Sequence, residues 1–98
     1  MQYIVTIDLP DEMTEEFLSL IPEHRARINK LMQRGIILSY SLNADRTNLW
    51  IIMNAKNEAE INKVLHTLPL HDFFVRYSSQ LLMFHNSVAG VIPSISLN

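Results

Sequence analysis

Apolar and polar positions change period along the chain in a way that marks out its elements. Tyr3 to Asp8 is rich in β-branched residues and stops at Leu9-Pro10-Asp11, the pattern of a strand and its end. From Thr14 the spacing becomes helical. Phe17, Ile21, His24, Ile28 and Leu31 recur at steps of three and four and share one face. Glu15 and Glu16 suit the start of that helix, and Arg34-Gly35 suits its end. Pro22 lies within it, removing a backbone donor and crowding the preceding turn. The expectation is a kink there, or a short turn followed by a main helix beginning near Pro22.

Ile36 to Leu42 reads as a second strand, residues 43–48 as a polar hairpin loop, and Leu49 to Met53 as a third strand. Glu58 to Leu68 carries Ile61, Val64, Leu65 and Leu68 on one helical face, with Asn57 as its N-cap. Phe73 to Met83 reads as a fourth strand. The order β-α-β-β-α-β, with right-handed crossovers, predicts an α+β, ferredoxin-like βαββαβ fold. Its four-stranded antiparallel sheet has two helices on one face. Residues 1–86 form the expected domain and 87–98 a C-terminal tail.

The strand runs Ile36-Ile37-Leu38, Leu49-Trp50-Ile51-Ile52-Met53, Phe73-Phe74-Val75 and Leu81-Leu82-Met83-Phe84 do not alternate as a sheet with one wet face should. Two helices cover one face only. The second face is therefore expected to pack against another copy, giving a homodimer or higher homo-oligomer, or else to be covered by the chain's own tail.

Composition narrows the chemistry. The chain has 98 residues, 48 % of them hydrophobic, and a net charge of -2. Its Lys and Arg are not clustered, so nucleic acid is not an expected partner. The absence of cysteine removes thiolate chemistry and suits the cytoplasm. The N-terminus lacks the pattern of a signal peptide, and no apolar run approaches the ~20 residues of a membrane helix. The only glycines are Gly35 and Gly90, so there is no Gly-rich phosphate loop. His24, His66, His71 and His85 lack the spacing of a zinc site, and no metal is expected.

Leu31-Met32-Gln33-Arg34-Gly35, the strand pair that follows, and Leu65-His66-Thr67-Leu68-Pro69-Leu70 before a Phe-rich strand resemble the muconolactone isomerase family over residues 1–86. A more distant likeness is to YCII-like proteins, which carry a histidine on the first helix. The resemblance implies a dimeric α/β barrel and cofactor-independent proton transfer within a small lactone or carboxylated metabolite. It implies a pocket between the first helix and the sheet. The family's carboxylate-rich stretch falls on Glu23-His24-Arg25-Ala26, where this chain has His24 and Ala26 in place of acids.

His24 and Glu23 are thus the candidate catalytic residues. His24 sits where a structural plan would put Leu or Ile, and imidazole titrates near neutrality. The alternative is a core histidine bonded to a neighbour. For Glu23 the alternative is a first-turn residue favoured by the helix dipole. Trp50 and Tyr40 are candidate substrate-lining aromatics, or else core or interface residues. Arg76 is a candidate anchor for a ligand carboxylate, or a residue of a wet sheet edge. If no reaction occurs, the fold is that of a small-molecule-binding or oligomeric accessory domain.

Overall fold

The computed structural model describes residues 1–86, so the tail at 87–98 lies outside the described residues. Four strands form one antiparallel sheet in the order β2-β3-β1-β4, with β1 at Gln2–Asp8, β2 at Ile37–Leu42, β3 at Asn48–Asn54 and β4 at Arg76–Leu81. Helix α1, Glu15–Gln33, follows β1, and helix α2, Glu58–His66, follows β3. This is the expected ferredoxin-like arrangement. Among the described residues no helix is long and apolar enough to cross a membrane.

Period-two alternation builds the core. Tyr3, Val5 and Ile7 of β1 pair in register with Met53, Ile51 and Leu49 of β3, and all six are buried beneath the helices. Ile28 and Leu31 of α1 and Ile61 and Leu65 of α2 close over them. Both helix starts are capped, the second by Asn57 as its sequence predicts. The Thr14 hydroxyl accepts from the Phe17 amide, and the Asn57 side chain accepts from the Glu60 amide. Gly35 ends α1 with φ 73°, and the Ile36 amide reaches back to the Leu31 carbonyl, a closure that favours glycine.

Three elements differ from the sequence reading. Helix α1 runs through Pro22 as one element rather than restarting there. Pro22 is exposed, so the Leu18 carbonyl it leaves without a helical donor lies on the solvent side. The buried stripe of Phe17, His24, Ile28 and Leu31 holds the helix together across the fault. Helix α2 ends at His66 rather than Leu68. Leu68 and Leu70 are instead buried within the turn that follows.

The fourth strand spans Arg76–Leu81 rather than Phe73 to Met83, and His71–Phe73 is a short 3-10 turn. Phe73 and Phe74 both face α1. Phe73 meets Phe17 edge-on at 5.4 Å between ring centres, and Phe74 meets His24 at 6.5 Å. Neighbouring side chains on one side are incompatible with strand alternation, so the turn replaces the strand here.

The sheet face away from the helices is less apolar than the strand runs suggest. Ile4, Trp50 and Ile52 lie half-buried at its centre. Around them stand Ser39 and Ser41 of β2 and Ser78 and Gln80 of β4. The apolar patch therefore belongs to β1 and β3, and the edge strands frame it with small polar residues.

Candidate functional site

The site is assembled by an irregularity in β2. Ile37 pairs with Met53, but the register then shifts so that Ser39 faces Ile52 and Tyr40 faces Ile51. One extra residue in β2 turns the side chains after it over to the other face. A regular strand would have pointed Ser39 at the helices. The bulged strand points Tyr40 there instead, opposite α1.

His24 is the residue of α1 that Tyr40 meets. It is 2 % exposed and the one buried polar or charged side chain among the described residues. Its Nε2 lies 2.9 Å from the Tyr40 hydroxyl, and its Nδ1 is buried with no hydrogen-bond partner. Two tautomers satisfy the short contact. In one the Tyr40 hydroxyl donates to Nε2, and in the other Nε2–H donates to the phenol oxygen. Each leaves Nδ1 unpaired, which costs about 1–3 kcal/mol. Stability alone gives no reason for a histidine here.

The Tyr40 end of this pair opens into a cleft of about 400 Å³ between α1, the β2–β3 hairpin and the turn after α2. Its walls are apolar, with Leu9, Met13, Phe17, Ile21, Leu49 and Leu70 among them. Leu18 and Leu42, both about half exposed, also line it. Two cations, Arg25 and Arg46, line it as well, and no carboxylate does. Burial pushes the His24 imidazole down to about 4. Burial also pushes the Tyr40 phenol up to about 12, with the Arg25 guanidinium pulling the other way. At neutral pH both groups are uncharged and share one hydrogen bond in an apolar wall.

The structure brings His24 and Tyr40 together, and the other expected residues stand apart from them. Glu23 is exposed on α1, because one step along a helix turns a side chain by about 100°. It does not line the cleft, and the partner His24 finds is Tyr40. Trp50 points from β3 to the face away from the helices, opposite Ser41. Arg76 stands opposite Asp8 in the strand register and pairs with it at 2.6 Å. Asp8 also accepts from the Asn48 side chain, so both its oxygens are used. Arg25 and Arg46 were not singled out by the sequence. Arg25 lies beside His24, but nothing local shows that a hairpin loop brings a second guanidinium to the same opening.

Comparison with known proteins agrees with this architecture. The family model described as muconolactone delta-isomerase matches residues 1–87. The chain is similar in structure to a muconolactone isomerase, with a TM-score of 0.69, 18 % identity, and coverage of 89 % of this chain and 93 % of that one. It is also similar to a 5-chloro-2-hydroxyhydroquinone dehydrochlorinase from Burkholderia phenoliruptrix AC1100, solved in complex with 2,5-dihydroxybenzoquinone. There the TM-score is 0.68, with 16 % identity, and coverage is 87 % of this chain and 96 % of that one. At these identities the likeness is one of fold. Comparison with curated proteins gave no match.

Proposed function

The chain belongs to the muconolactone delta-isomerase family, and from that premise we propose a cofactor-independent isomerase that shifts a proton within a small lactone or carboxylated metabolite. The observation that carries the proposal is the 2.9 Å contact between His24 Nε2 and the Tyr40 hydroxyl at the wall of an apolar cleft. A proton shift needs a base that can take a proton and give it back, in a place that excludes water.

Tyr40 is the member of the pair that reaches substrate, since His24 is almost wholly buried. The relay uses the tautomer with Nε2 unprotonated. The phenol oxygen takes a proton from substrate carbon while its own proton passes to Nε2. The carbon's electron pair moves into the conjugated carbonyl. The imidazolium then returns its proton through Tyr40 to the other end of the conjugated system. Atoms and charge balance, and no other reactant is consumed.

An imidazole held down near 4 is a weak base in the empty cleft. An anionic substrate changes that. A carboxylate roughly 5 Å from the ring, at an effective dielectric of about 20, favours imidazolium by about 3 kcal/mol, or about two pKa units. The relay is thus armed by its own substrate.

The second reading is a non-catalytic small-molecule-binding domain, which the weak basicity of His24 in the free protein favours. Ultraviolet and NMR assays of muconolactone with wild-type protein, His24→Ala and Tyr40→Phe separate the two. The enzyme reading predicts isomerisation that falls by about 10²- to 10⁴-fold in either variant. A wild-type protein that binds the lactone without turning it over supports the second reading. One that neither binds nor converts any lactone contradicts the first.

For assembly we propose a homodimer that buries the face centred on Ile4, Trp50 and Ile52. Trp50 then serves the interface, since it points away from the cleft. A two-fold contact of this kind covers an apolar patch that neither helix reaches.

A further inference from the structure

Resting on the reading of the cleft as the working site, we propose that Arg25 and Arg46 form a two-guanidinium clamp at the cleft, selecting ligands that carry a carboxylate on a flat apolar body. The two residues come from different elements. Arg25 follows His24 on α1, and Arg46 belongs to the hairpin between β2 and β3, yet both line the same cleft. Among the described residues neither guanidinium has a carboxylate partner or a side-chain hydrogen bond. By contrast Arg76 is paired with Asp8, and Arg27 donates to the Thr67 hydroxyl. Arginine's planar fork matches a carboxylate with two parallel hydrogen bonds.

Arg46 is held in place at a cost. Its φ is 61°, the left-handed region that glycine and asparagine occupy far more easily. The surrounding loop over-determines that conformation. The Asn43 side chain accepts from the amides of Thr47 and Asn48, at 2.9 and 3.0 Å, and the Arg46 amide donates to the Asn43 carbonyl. The loop thus fixes where the Arg46 backbone stands, and the side chain it carries lines the cleft. The walls accept an apolar ring, the opening offers two cations, and no lining carboxylate competes for them.

Isothermal titration with benzoate, and with its neutral counterpart benzamide, tests the clamp. Wild-type protein is expected to bind benzoate at least about tenfold more tightly than benzamide, a difference of about 1.4 kcal/mol. Arg46→Gly is the informative variant, because glycine relieves the strain at φ 61° while removing the guanidinium. It should lose most of the benzoate preference with Tm unchanged or raised, and Arg25→Gln should lose it too. Equal binding of the two probes, an undiminished preference in Arg46→Gly, or no saturable benzoate binding at millimolar concentration would each overturn the proposal. Tyr40→Phe distinguishes this from failure of the relay. It should lower turnover by at least about 10²-fold and keep the benzoate preference. A preference for benzoate in a wild-type protein that isomerises nothing leaves the clamp standing and removes the relay.

Discussion

The hydroxyl of Tyr40 and Nε2 of His24 stand 2.9 Å apart because β2 carries one residue more than its partner strand requires. Ile37 faces the helices before the irregularity and Tyr40 faces them after it, and the extra residue is what puts a phenol rather than a serine opposite α1. Bulges are common beside active sites for this reason. Here the bulge sets a phenol hydroxyl against the imidazole of α1.

Deleting Leu38 tests the bulge directly. Leu38 is the residue for which β3 offers no partner, so a chain without it can pair Ile37 with Met53 and Tyr40 with Ile51 in one regular ladder. The variant should fold, keep Tyr40 opposite α1 and lose no more than about 2 kcal/mol. Urea unfolding measures the loss. A folded deletion variant whose NMR spectra show Tyr40 turned away from His24 would contradict the register described above.

His24→Leu separates function from stability. Leucine suits the buried stripe of α1, and it removes the unpaired Nδ1. The variant is expected to be as stable as wild type at pH 7, or up to about 1 kcal/mol more stable, while losing turnover. Thermal and urea denaturation provide the check. A loss of more than about 2 kcal/mol would show that the histidine is a structural residue.

The same variant carries a prediction about pH. The folded imidazole takes up its proton only near pH 4, whereas in the unfolded chain it does so near 6.5. Between those values the unfolded state binds the extra proton, so wild-type stability is full above about 6.5 and falls as pH drops toward 4. The fall from this group is at most about 3 kcal/mol. In His24→Leu that component disappears, so urea unfolding should show the variant's advantage over wild type widening as pH falls from 6.5 toward 4.

Trp50→Lys tests the assembly. A charge at the centre of the Ile4, Trp50 and Ile52 patch would be buried unpaired in a face-to-face dimer. Light scattering should report a dimer or larger species for wild type and a monomer for the variant. A monomeric wild type at micromolar concentration would remove the proposed interface.

Much of this architecture is legible in the residues themselves. The β-branched run at Tyr3–Asp8, the three-four spacing from Phe17 to Leu31 and the Asn57 cap each report a local preference that the fold keeps. His24 is legible too, as a polar residue on a stripe that otherwise reads Phe, Ile, Ile and Leu. Tyr40's partnership is not, because it depends on a register shift whose cause lies in pairing between strands. The start of β4 at Arg76 is likewise hidden. Two adjacent phenylalanines look like strand until α1 supplies Phe17 and His24 for both to pack against. Arg46 is hidden for a third reason, since only the folded hairpin reveals its left-handed backbone.

The most direct test is an NMR titration of the His24 ring nitrogens, free and with saturating benzoate. The free protein should show a neutral imidazole at pH 7 that titrates near 4, hydrogen-bonded at Nε2 to Tyr40, with its midpoint rising by one to two units when benzoate binds. An imidazole that titrates near 6.5 in the free protein, or one that benzoate leaves unmoved, would contradict a buried proton relay armed by an anionic ligand.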